Sequence, residues 1–169
     1  NGSPDPPVMP GTYTVVATFP GNANYLPGTA TETLTITKSI VGIQVFVQDV
    51  TYSGSPFAAG YLISGFDPDF FPADSVTYNG SENSPVNAGT YTVVVTFNGT
   101  DVYEAATASK PFTIHNATPT VSVTGGTFTY NATAHPATGT VKRGGVSIGS
   151  PVFTYNGASE PPVNGGTYN

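Results

Sequence analysis

The chain has 169 residues, a net charge of −6 and only 8% charged residues, with four Lys plus Arg, no Cys and no Trp. Without Cys there is no disulfide framework and no thiolate metal site, and four cations are too few to neutralise a row of nucleic-acid phosphates. No run of about 18 apolar residues could span a bilayer as a helix, so neither nucleic-acid binding nor membrane insertion is expected.

Twenty Gly and 16 Pro raise the question of disorder. Disordered chains lack aromatic and β-branched residues, whereas this one holds 10 Tyr, 10 Phe and 26 Thr. Val, Ile, Thr, Tyr and Phe dominate the segments between turns, which is strand composition. No segment places apolar residues at i, i+3, i+4 and i+7. The chain therefore reads as all-β.

In chain order, the first strand carries Tyr13, Val15, Ala17 and Phe19 on one face. Further strands are expected near residues 43–47, 50–52, 58–63, 75–78, 90–97 and 105–114, with turn signals between them. Ile43, Val45 and Val47 alternate with Gln44, Phe46 and Gln48. Tyr91, Val93, Val95 and Phe97 alternate with Thr90, Thr92, Val94 and Thr96. Alternation with period two describes strands that bury one face. Pro111 interrupts the last strand, which places it at a sheet edge or a bulge.

The same turns return at a fixed spacing. Val8-Met9-Pro10-Gly11-Thr12-Tyr13 returns as Val86-Asn87-Ala88-Gly89-Thr90-Tyr91 and again as Val163-Asn164-Gly165-Gly166-Thr167-Tyr168, at offsets of 78 and 77. Asn1-Gly2, Asn79-Gly80 and Asn156-Gly157 precede these blocks at the same offsets. Gly21-Asn22-Ala23-Asn24-Tyr25 matches Gly99-Thr100-Asp101-Val102-Tyr103, Leu34-Thr35-Ile36 matches Phe112-Thr113-Ile114, and Val50-Thr51-Tyr52 matches Phe128-Thr129-Tyr130. Agreement of independent blocks at one spacing marks a tandem repeat. The chain holds two periods of about 77 residues plus a 14-residue overlap. It divides into the C-terminal part of a repeat (1–38), one complete repeat (39–116) and the N-terminal part of the next (117–169). Because it begins and ends at the same point of the motif, it is expected to be a window on a longer array.

Six or seven short strands in about 77 residues fit a tandem immunoglobulin-like β-sandwich, with small β-grasp-like modules as the alternative. Gly89-Thr90-Tyr91 at a strand start matches a tyrosine corner, in which the ring is buried and its hydroxyl bonds nearby backbone. Tyr13, Tyr91 and Tyr168 are assigned this structural role. The junctions Ile36-Thr37-Lys38-Ser39-Ile40 and Ile114-His115-Asn116-Ala117 are not Gly/Ser-rich or Pro-rich linkers. A semi-rigid rod is expected, in which each repeat touches only its neighbours.

The blocks at 86–93, 76–80 and 21–25, with Thr51-Tyr52 and Thr129-Tyr130, resemble bacterial MBG-type and related bacterial Ig-like repeats over essentially the whole chain. The resemblance implies a tandem module of a very large secreted or surface-attached bacterial protein, working as stalk or spacer of an adhesin. It brings no catalytic residues and no cofactor.

Residues that could carry chemistry are few. His115 lies at a repeat junction, and His135 occupies the position of Phe57 one repeat earlier, so both are read as loop or packing residues. Asp67, Asp69 and Asp74 could offer oxygen ligands to calcium. Their spacing is not that of an EF-hand loop, and Gly144-Gly145-Val146-Ser147 at the corresponding place has no carboxylate; a solvated loop is the alternative. Phe66, Phe70 and Phe71 have no aromatic counterparts in the next repeat and are candidates for an intermolecular contact. Asn79, Asn98, Asn116 and Asn131 begin Asn-x-Ser/Thr sequons, as does Asn1, but Asn-Gly is also a favoured hairpin turn.

The expected function is a non-catalytic structural repeat outside the cell or at its surface: an adhesin stalk or a building block of an extracellular filament. The alternatives are a carbohydrate- or protein-binding module and an accessory domain of a secreted enzyme. The expected partners are neighbouring repeats of the same chain or identical chains joined head to tail, since residues 1–38 expose a hydrophobic face and residues 117–169 lack the strands that 1–38 supplies. The sequence identifies no receptor.

Overall fold

The structure is a computed structural model that describes residues 5–66 and 69–168. Every regular element in it is a β-strand. The chain divides into two compact units, Asn1–Asn116 and Ala117–Asn169.

The first unit begins with a hairpin of β1 (Gly11–Phe19) and β2 (Gly28–Ile36), paired antiparallel from Gly11↔Ile36 to Phe19↔Gly28. Seven strands follow: β3 (Gly42–Phe46), β4 (Val50–Thr51), β5 (Gly60–Ser64), β6 (Phe70–Phe71), β7 (Ser75–Tyr78), β8 (Gly89–Phe97) and β9 (Ala106–His115). They form two sheets, ordered β3-β5-β6 and β4-β9-β8-β7. The β4–β9 pairing is parallel, with Val50 opposite Ile114, so the second and last of these seven strands meet. The remaining pairs are antiparallel.

The core lies between these two sheets. Ile63 from one sheet meets Tyr78, Val93, Val95, Phe97, Phe112 and Ile114 from the other, with Tyr103 closing one end. Ile43, Val45 and Phe71 pack around them. The alternation read from the sequence is the alternation of burial: Val93, Val95 and Phe97 are buried, and the residues between them are only partly covered. Full burial of a side chain of this size contributes about 1.5–3 kcal/mol. The architecture is therefore a β-sandwich, sheet packed on sheet. β9 has β4 beside it only at Ile114 and His115. Pro111 thus stands where the outer edge of the strand is open, as its missing N–H requires.

The second unit holds β10 (Thr120–Thr124), β11 (Thr138–Arg143) and β12 (Val146–Gly149) in one sheet. Val121 opposes Val141 as Ile43 opposes Ile63 one period earlier. The β11–β12 turn is Gly144-Gly145, both with positive φ, which suits a two-residue hairpin.

Candidate functional site

Tyr13 and Tyr91 lie near the start of the long hairpins β1–β2 and β8–β9, and Tyr168 holds the equivalent place in the motif of the second unit. Tyr13 Oη donates to Met9 O at 2.8 Å, Tyr91 Oη to Asn87 O at 2.9 Å and Tyr168 Oη to Asn164 O at 3.1 Å. Each hydroxyl thus reaches the carbonyl four residues upstream, and each ring lies over the glycine two residues before it. The donation pins the incoming loop to the strand, and the hydroxyl is spent on it.

A second set of bonds fixes the turn before that loop. Tyr78 Oη accepts from Ala59 N at 2.7 Å, and Tyr155 Oη accepts from Ala137 N at 2.8 Å. Asn79 and Asn156 adopt φ of 49° and 52°, each followed by a glycine at positive φ. Their side chains donate to Thr90 O and Thr167 O, at 3.2 Å in both cases. Asn-Gly is therefore a turn determinant at these places, the left-handed region being one that asparagine tolerates.

The acidic and aromatic loop of the complete repeat gathers around Tyr103. Tyr103 is 1% exposed, and its hydroxyl donates to Asp69 Oδ2 at 2.7 Å. Phe66 lies over the same ring at 5.9 Å between centroids while remaining 77% exposed. Phe71 packs 5.0 Å from both Tyr103 and Phe97. Phe71 thus differs from its two neighbours, because its ring is part of the core of its own repeat. Phe70, on the opposite face of β6, points into solvent. The pair forms a strand where a loop was expected.

The three aspartates are not brought together as a ligand set among the described residues. Asp74 accepts from Asn98 N at 2.8 Å, and Asp69 is engaged with Tyr103. Asp67 lies outside the described residues. No group of three or more His, Asp or Glu able to hold a metal is gathered among the described residues. His115 sits 3.8 Å from Asp49, both largely exposed. His135 stacks on Phe128 at 4.5 Å, nearly parallel, and its Nε2 lies 3.0 Å from Asn131 Oδ1.

The second unit contains a groove of about 690 Å³, lined by Phe128, His135, Phe153, Tyr155, Val163 and Tyr168 among others. In the complete repeat the residues equivalent to His135, Tyr155 and Tyr168 are Phe57, Tyr78 and Tyr91. All three surround Phe112, at ring separations of 5.2, 6.3 and 5.8 Å. The groove is thus the seat that Phe112 fills one repeat earlier. Phe128-Thr129 and Phe153-Thr154 form no ladder among the described residues, whereas their equivalents belong to β4 and β7.

A family model described as "MBG domain" matches residues 1–40, 67–118 and 119–169. The chain belongs to the MBG domain family. No curated protein and no solved structure matches it. The first two matched segments end at residues 40 and 118, one 78-residue period apart. Sequence reasoning did not place the groove. Its signal was present in the equivalence of Leu34 with Phe112, read together with that of His135 with Phe57.

Proposed function

We propose that these MBG repeats form a non-catalytic structural segment of a bacterial extracellular protein, as the stalk or spacer of a surface adhesin or as a building block of an extracellular filament. One observation carries the reading. The same tyrosine-to-backbone and asparagine-to-backbone bonds recur at equivalent positions across the repeats. What is repeated is the means of holding shape, and the hydroxyls and amides of the recurring motifs are consumed by it. Low charge fits a module that works without electrostatic steering.

The direct test is location and reach. An antibody against the chain should label intact producing cells without permeabilisation, and deleting whole repeats should shorten the reach of the surface structure while its binding tip keeps its affinity. Labelling only after lysis, or loss of affinity on removing repeats, contradicts the reading.

A further inference from the structure

We propose that Asn98 is a site of spontaneous covalent modification, at which the backbone nitrogen of Gly99 displaces ammonia from the side-chain amide and leaves aspartate and isoaspartate in the loop. This chemistry goes beyond the structural reading above and does not depend on it.

Two Asn-Gly pairs of the complete repeat stand in nearly the same local sequence, Tyr78-Asn79-Gly80-Ser81 and Phe97-Asn98-Gly99-Thr100. The fold treats them differently. The Asn79 carboxamide is held at both ends: its Oδ1 accepts from Thr92 N at 2.8 Å and its Nδ2 donates to Thr90 O at 3.2 Å. Asn98 is exposed. Its backbone N–H donates to Asp74 Oδ2 at 2.8 Å, and its carboxamide has no hydrogen-bond partner among the described residues. Gly99 holds φ at 86°, and a Cβ there would stand 2.8 Å from Tyr103 O and 2.9 Å from Ala105 N. Gly21, one repeat earlier, is under the same constraint, with φ of 82° and both Tyr25 O and Pro27 N at 2.9 Å. The turn therefore demands the glycine. It does not demand the asparagine, since Pro20 precedes Gly21. A glycine nitrogen unshielded by any side chain thus follows an untethered carboxamide.

Water is the only co-reactant. Gly99 N bonds to Asn98 Cγ, the Cγ–Nδ2 bond breaks, and ammonia leaves with the amide proton of Gly99. Water then opens the cyclic imide: its hydroxyl goes to an acyl carbon and its proton returns to Gly99 N. Opening at Cγ gives aspartate. Opening at the main-chain carbonyl of residue 98 gives isoaspartate, with the chain running through Cγ. Both products add a negative charge at a residue whose N–H already binds the Asp74 carboxylate, and like charges at close range repel. Isoaspartate also lengthens the backbone by one atom, just before a segment that holds the incoming chain. There Lys38 Nζ donates to Thr100 O at 2.7 Å, Ser39 N to Val102 O at 2.8 Å and Glu104 N to Ser39 O at 2.8 Å. Modification at Asn98 thus loosens the seam by which the chain enters the complete repeat.

The full chain is aged in its folded state at mildly alkaline pH and mapped by peptide mass spectrometry, with fragmentation that separates aspartate from isoaspartate. Conversion at Asn98 should outpace conversion at Asn79 by on the order of tenfold or more, because two hydrogen bonds must open first at Asn79. In denaturant the two sites should convert at similar rates, since their local sequences match. Asn98→Gln, whose longer side chain closes the imide far more slowly, should keep its melting temperature through the ageing in which that of the parent falls. Equal conversion at the two sites of the folded chain, no conversion at Asn98, or a difference that persists in denaturant overturns the assignment. An equal fall in melting temperature for Asn98→Gln overturns the loosening of the seam.

Discussion

Leu34 stands opposite Tyr13 across the first hairpin as Phe112 stands opposite Tyr91 across the second. Leu34 is 42% exposed and Phe112 is 2% exposed. One backbone pairing thus carries two packing states, and the difference is what covers the inner face. Phe112→Ala should cost about 3–5 kcal/mol in urea unfolding followed by tyrosine fluorescence. Leu34→Ala should stay within about 0.5 kcal/mol of the parent. Equal costs at the two positions would contradict this.

Tyr91→Phe removes a hydroxyl that donates to Asn87 O and should cost about 0.5–1.5 kcal/mol. Tyr78→Phe removes the acceptor of Ala59 N, a part-buried N–H. Leaving that donor unpaired should cost about 1–3 kcal/mol. The order of the two, read from denaturation midpoints at unchanged slope, checks the assignment.

Gly65 lies against the Tyr103 hydroxyl, so a methyl group there meets the Tyr103 ring. Gly65→Ala should destabilise the complete repeat by about 1–3 kcal/mol through overpacking. Tyr103 is a buried core residue, so its ring has little room to yield. A melting temperature equal to that of the parent would show that the ring moves aside freely.

Asn79 holds φ at 49°, accepts from Thr92 N at 2.8 Å and donates to Thr90 O. Asn79→Gly keeps the backbone freedom and loses the bonds. Asn79→Val loses both and should be the worse by about 1–2 kcal/mol, the cost of the left-handed region for a side-chain-bearing residue. Thermal unfolding of the two variants decides it.

Asp69 and Asp74 spend a carboxylate oxygen on Tyr103 and on Asn98 N. Exchanging calcium for a chelator should leave the unfolding midpoint of the chain unchanged. A rise of several degrees with calcium would return these residues to candidacy as ligands.

Much of the fold was legible because one physical signal, period-two alternation, coincided with burial. Val93, Val95 and Phe97 fall on the buried face for that reason, and the missing donor of Pro111 called for an edge or a bulge. Phe70 and Phe71 were not read as a strand, because two residues carry no periodicity. Their pairing with Ile63 and Ser64 is a tertiary event. The parallel meeting of Val50 with Ile114 was equally silent, since nothing local in a two-residue strand encodes a partner 64 residues away. The groove of the second unit is a property of equivalence between repeats. Leu34 and His135 carry no signal alone and acquire one only beside Phe112 and Phe57.

The central claim is that these repeats form a structural segment outside the cell. The most direct measurement is labelling of intact producing cells with an antibody against the chain, before and after permeabilisation. The account predicts labelling without permeabilisation. Labelling only after lysis would contradict it.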